Sequence, residues 1–129
     1  MFWRFVVPLL AVGFAVASAG LVGAPADVDL NDEGVQNALR FAVAQHNRAS
    51  NDMFINEVEE VVSVQRQVVS GLKYIFKVKM ANTRCRKGSV ETDCAIQEGA
   101  NVKRYTCTFE VWSQPWTSTI KLTRNTCVH

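Results

Sequence analysis

The sequence is poor in the groups that carry chemistry. Among 129 residues there are two histidines, of which His46 falls on an apolar helical stripe and His129 is the last residue. The four cysteines, Cys85, Cys94, Cys107 and Cys127, include no C-x-x-C pair, which argues against a structural zinc site. If they form two disulfides, no thiol is left for a Cys–His nucleophile. The expectation is a protein that is not an enzyme and needs no metal or cofactor. Beyond the N-terminus, no stretch is apolar for the ~20 residues a membrane-spanning helix needs. There is no internal repeat, no low-complexity tract and no N-x-[ST] sequon, Asn125-Thr126-Cys127 being the rare Cys variant.

An excess of one charge is also missing. Residues 1–19 read as a secretory signal: Arg4, an apolar stretch from Phe5 to Ala17 broken by Pro8 and Gly13, then the A-x-A site Ala17-Ser18-Ala19. Their removal leaves 110 residues, 20–129, enough for one domain with one core. Only Arg4 of the fourteen basic residues goes with them, so thirteen face twelve acidic ones and the net charge is +1. Such balance gives no case for nucleic acid or an anionic membrane as partner. Arg84, Arg86 and Lys87 beside Lys77 and Lys79 read as a solvated face.

An exported chain with four cysteines is expected to carry two disulfides. Three pairings are open. Cys85–Cys94 with Cys107–Cys127 is favoured, because the first closes a short polar loop and the second joins the last two strands near their outer ends. One tension remains: counting back from a turn near Pro115 sets residue 123, not 127, opposite Cys107, so the second bridge needs a bulge or a tail that curls back.

From about Asp32 to Arg48, Val35, Ala38, Leu39, Ala42, Val43 and His46 recur at i, i+3, i+4, with Asn31, Asp32 and Glu33 at the start. This predicts an amphipathic helix whose N-terminus suits its dipole. Before it, residues 20–30 have no apolar period and read as an irregular arm. After the polar turn Asn47–Asp52, strands are expected at about 54–66 and 72–80, the second alternating Leu72, Tyr74, Phe76, Val78 and Met80 with lysines. Residues 81–102 lack a period and read as a surface excursion. Strands follow at 104–112 and 117–124, joined through Ser113-Gln114-Pro115-Trp116. One helix against four or five antiparallel strands is an α+β domain.

Three groups stand out as apolar or permissive where polar residues are usual: Leu21-Val22-Gly23 on the arm, Val68-Val69 within the hairpin loop 67–71, and Pro115-Trp116 in the last turn. Alternate hairpin loops of an antiparallel sheet fall at the same end. Singly, each is ordinary: a strand end, a common turn, a Trp over a sheet edge. Together they would form the kind of anchor patch that interfaces use.

The Gly23 arm with Ala24-Pro25, the helix exit Asn47-Arg48-Ala49-Ser50-Asn51-Asp52, the Q-x-V-x-G loop Gln67-Val68-Val69-Ser70-Gly71, Pro115-Trp116 and the four cysteines occur in this order and spacing. In them the chain resembles the secreted, two-disulfide (type 2) cystatins of the egg-white and cystatin C branch, over residues 20–129. The resemblance implies a cystatin-like fold and reversible, competitive, tight-binding inhibition of papain-like cysteine proteases of the cathepsin type. Arm and loops would form an apolar wedge, with Leu21 and Val22 in the non-primed pockets, Gly23 bending the chain away, and Val68 and Val69 over the nucleophile. Trp116 would anchor the primed side. Ser50-Asn51-Asp52 is similar to the family's motif against legumain, an asparagine-specific cysteine protease, with Asn51 entering its specificity pocket. A monomer is expected, with a domain-swapped dimer reached by opening the 67–71 loop, where Val68 and Val69 are expected to be strained. The competing reading is a non-inhibitory secreted binding or host-defence protein on the same fold. Cathelin-type propieces are of that kind, but they characteristically lack the inhibitory loop and precede a cationic peptide, whereas here only two residues follow Cys127.

Overall fold

The computed structural model describes residues 23–88 and 93–129. The signal segment 1–19 and the arm residues Leu21 and Val22 lie outside these described residues. In chain order the elements are β1 (Ala26–Asp27), α1 (Glu33–Ala49), β2 (Phe54–Val69), β3 (Gly71–Arg86), β4 (Arg104–Gln114) and β5 (Thr119–Val128). The strands form one antiparallel sheet in the order β1-β2-β3-β4-β5, with α1 packed across it.

Helix α1 starts where its chemistry directs. Asp32 is the N-cap, and its carboxylate accepts hydrogen bonds from the Gly34 and Val35 N–H groups at 2.9 and 3.4 Å, serving donors that have no partner within the helix. Gly34, a poor helix former, has a packing reason to be there: a Cβ would lie 2.8 Å from the Tyr74 hydroxyl. One face of the helix, Val35, Ala38, Ala42 and His46, is buried. It meets Tyr74, Phe76, Val78 and Met80 of β3, Phe109 and Val111 of β4, and Val64 of β2. The small Ala38 and Ala42 let the helix settle closely on the sheet. Phe76 and Phe109 are fully buried, and truncating either to Ala would cost about 3–5 kcal/mol.

Several boundaries differ from the sequence expectation, each for a physical reason. The supposed excursion begins late, because β3 continues through 81–86: Ala81, Asn82, Thr83 and Cys85 are buried, and Asn82 accepts from the Lys103 N–H and donates to the Asn101 carbonyl. Polar side chains that satisfy a neighbouring loop break the alternation without ending the strand. The arm contains a short strand, β1, paired with Arg66 and Gln65. The first hairpin has no five-residue loop either. β2 runs through Val69, Val69 pairs with Gly71, and the turn centres on Ser70. Val68 and Val69 are therefore ordinary strand residues, and the positive φ of this turn falls on Gly71, at 105°. The strain expected of the valines is not there.

Both disulfides pair as favoured, Cys85 with Cys94 and Cys107 with Cys127. The register resolves the counting problem. Gln114 pairs with Thr119 across a 3-10 turn, Pro115–Thr117, which alone would set 126 opposite Cys107. A bulge between Glu110 and Val111 adds the last residue, and Cys127 faces Cys107. Three further register shifts interrupt the pairing of β2 with β3. Such irregularities locally bend a strand and raise its twist, and here they fall within two strands of sixteen residues each.

On the outer face of the sheet, Glu110 lies 2.7 Å from Lys73 Nζ and 3.5 Å from Arg124 Nη1. The hydrogen bond from Lys73 holds its carboxyl below the ordinary value of 4.5; burial opposes this, and Arg124 adds to it. A carboxyl depressed in the folded state contributes stability above its unfolded value and loses it as pH falls through the folded one. Glu110→Gln is predicted to destabilise the protein by about 1 kcal/mol at pH 7. Urea denaturation across pH should show that difference closing below the ordinary value of 4.5; a gap independent of pH would contradict it.

Candidate functional site

Two surfaces, at opposite ends of β2, gather the residues singled out in the sequence. At the β2–β3 turn, Val68 is 62% exposed, an unusual state for a valine beside a hairpin. The Gly23 backbone lies against it: a Cβ on Gly23 would stand 3.2 Å from the Val68 carbonyl, and Gln67 Nε2 donates to the Gly23 carbonyl at 2.9 Å. The first described residue of the arm is thus tied to the hairpin.

On the other side of the hairpin lies the β4–β5 turn. Gly71 packs so closely on β4 that a Cβ would stand 2.5 Å from the Ser113 carbonyl, and its positive φ also favours glycine. Trp112 Nε1 donates to the Ser70 carbonyl at 2.8 Å, and Gln114 Nε2 lies 3.4 Å from the Ser70 hydroxyl. The Thr117 hydroxyl donates to Gln114 Oε1 at 2.9 Å. A polar chain therefore runs from Ser70 through Gln114 into the Pro115–Thr117 turn, which closes with Ser118 in the left-handed region at φ 52°. On this turn Trp116 is 68% exposed. Arm, first turn and second turn stand side by side, with Val68 and Trp116 projecting into solvent and no ionisable side chain among them.

Trp112 and Gln114 were not among the sequence candidates. A signal was present: the alternation of β4 puts Trp112 in line with Thr106, Thr108 and Glu110, the polar face, where a Trp needs a reason.

The second surface is the turn after α1. Asn47 clamps the helix end to β2, its Oδ1 accepting from the Asn56 N–H at 2.8 Å and its Nδ2 donating to the Asn56 carbonyl at 2.9 Å. Ser50 caps the helix, its N–H bonded to the His46 carbonyl, while its hydroxyl accepts from the Asp52 N–H at 3.0 Å. Lys87 Nζ donates to the Ser50 carbonyl at 2.7 Å. Burial works against the Asp52 charge, yet hydrogen bonds from the Phe54 N–H and from Asn56, with Lys103 and Lys87 nearby, outweigh it and hold the carboxyl below its usual range. Asn51 is exposed between these two fixed neighbours. It borders a cleft of about 920 Å³ that also reaches His46, Tyr105 and His129.

His46 bonds Asn125 through Nδ1 and Tyr105 through Nε2, and burial with the Asp52 charge pushes the Tyr105 hydroxyl up to about 12. His46, Cys107 and Cys127 bring possible metal-ligand atoms together, but the two sulfurs are bonded to each other. Among the described residues, no helix is long and apolar enough to cross a membrane.

Residues 23–116 match the family model of the cystatin domain. The chain belongs to the cystatin family. Its members are thiol-protease inhibitors rather than enzymes, which agrees with the poverty of nucleophiles and bases noted above. Cystatin of Oncorhynchus keta is 55% identical over 128 residues, covering 98% of each chain. Cystatin of Gallus gallus is 45% identical over 124 residues, covering 92% of this chain and 89% of that one. Among solved structures, dimeric human cystatin F superposes with a TM-score of 0.74 at 32% identity, covering 84% of this chain and 88% of that one. The helix-on-sheet architecture is that of the cystatins.

Proposed function

We propose that the protein is a secreted, reversible and competitive inhibitor of papain-like cysteine proteases of the cathepsin type, acting as a wedge. The observation that carries this reading is the alignment of the Gly23 arm, the Ser70 turn and the Pro115–Thr117 turn at one end, with Val68 and Trp116 exposed and the backbone behind them cross-bonded. An apolar edge without ionisable groups suits a cleft that it must fill but not react with. Leu21 and Val22 occupy the non-primed pockets and Gly23 turns the chain away. Gln67, Val68, Val69, Ser70 and Gly71 cover the nucleophile, while Pro115 and Trp116 pack on the primed side. Affinity comes from shape and apolar burial, and the cross-bonds keep the ordering cost small. Titration of papain with the protein beginning at residue 20 should give 1:1 inhibition and release intact inhibitor with active enzyme. A stable thioester, or stoichiometric cleavage within 67–71, would sink the wedge mechanism.

A second activity is supported by the turn at the opposite end. Asn51 is held out between Ser50 and Asp52, the presentation an asparagine-specific protease such as legumain requires. Because the length of β2 separates it from the wedge, single substitutions should split the two activities. Trp116→Ala should weaken papain binding by about 2 kcal/mol or more with little change in thermal midpoint and leave legumain inhibition intact. Asn51→Lys should do the reverse. In paired assays of both variants, equal loss of both activities by either one would count against separate sites.

The protein acts as a monomer in this reading. The β2–β3 turn is short enough that opening it would let both strands run on as one, exchanging α1 and β2 with a second copy. Heating should thus yield a dimer that no longer inhibits papain but still inhibits legumain. Gel filtration followed by both assays is the measurement, and a dimer with full activity against papain would refute the exchange.

A further inference from the structure

The peptide between Ser70 and Gly71 links the exposed residue of the β2–β3 turn to a buried one, and nothing in its own sequence fixes which way it faces. Ser70 is exposed, and glycine at positive φ tolerates several neighbouring peptide orientations. The Ser70 carbonyl could point out along the tip or back onto β4. It points to β4, accepting the indole N–H of Trp112 at 2.8 Å. The same nitrogen would lie 3.3 Å from a Cβ on Gly71, so the indole packs against the turn as well as bonding to it.

Trp112 is not needed for the core. It lies outside the buried cluster and on the outer face, paired with Lys73 of β3 and Lys121 of β5. A large aromatic between two lysines, reaching over the sheet end to one carbonyl, is placed for the turn. Resting on the inhibitory reading above, we propose that Trp112 is a positioning residue: its indole N–H fixes the Ser70–Gly71 peptide, so that the tip enters a protease cleft already formed. Turned onto β4, the Ser70 carbonyl is also withdrawn from the face that meets the nucleophile. Gln114, bonded to the Ser70 hydroxyl, secures the side chain of the same residue.

The test isolates the N–H. In the full mature chain, the Trp112 indole is replaced by benzothiophene, which keeps the bicyclic shape and puts sulfur where the N–H stands; Trp112→Phe serves as a second variant. The expected result with papain is dissociation about tenfold faster and association changed by no more than about twofold, with an unchanged thermal midpoint for the benzothiophene form. In the free protein, the Ser70 carbonyl carbon resonance should shift upfield when the N–H is removed, a change that loss of packing alone would not produce. Unchanged dissociation, or an unmoved Ser70 resonance, overturns the proposal. Failure of the wild-type protein to inhibit papain would bring down the inhibitory reading and this role with it, while the Ser70 resonance would still report whether the bond forms.

Discussion

The pairing of β2 with β3 is the constraint on which the rest of the structure depends. Two strands of sixteen residues reverse on Ser70, with Val69 already paired to Gly71, so the turn has no slack. Register follows from that first pair as far as Ser63 and Lys77; beyond it three shifts adjust the pairing while Phe76, Val78 and Met80 all stay on the helix side of the sheet. The same strands set the distance between the two surfaces, since Ser50–Met53 precedes one end of β2 and Ser70 follows the other. Because Gly71 can neither carry a side chain nor retreat from Ser113, the turn is seated on β4 and cannot drift from the Pro115–Thr117 turn beside it.

This seating explains how an apolar edge stays exposed without collapsing. Exposed Val68 and Trp116 gain nothing from the folded state by themselves, so their positions must be held by backbone and polar contacts. Gln67 to Gly23, Trp112 to Ser70 and Gln114 to both Ser70 and Thr117 provide them. Each such bond is worth only about 1 kcal/mol net to stability. Their larger effect is on entropy, because an edge held in shape before contact loses less freedom on contact.

Much of this was legible in the residues. The i, i+3, i+4 stripe of α1 and the alternation of β3 and β4 report burial, and burial follows from local pattern; Val68 and Trp116 were visible for the opposite reason, as apolar residues at turns that leave them exposed. What was not legible depends on partners distant in sequence. Asn82 and Thr83 read as loop because their polarity is satisfied by residues 101–103 and by Ile55, which a local window does not see. β1 has only two residues, too few to show a period. The place of Cys127 needed a turn longer than Pro115 suggests and a bulge at Glu110, both products of three-dimensional register. Trp112 broke the polar alternation visibly, but its target, a single carbonyl across the turn, belongs to the folded state alone.

The two disulfides fall where chain connectivity is weakest. At the Ser70 end, β2 joins β3 and β4 joins β5 through short turns, so proximity there is enforced by the chain itself. At the far end, β3 leaves into the segment preceding β4. Cys85–Cys94 closes that departing segment, and Cys107–Cys127 ties the end of β5 to the start of β4, with sequence separations of 9 and 20. In the loop-entropy account, bridges of this span restrict the unfolded chain by about 3 kcal/mol each. They add to the side-chain ties already there, Asn47 to Asn56, Asn82 to residues 101–103 and His46 to Asn125 and Tyr105. The covalent bonds accordingly secure the Asn51 side of the molecule, where the long β3–β4 connection leaves the sheet, while hydrogen bonds among short turns hold the Ser70 end.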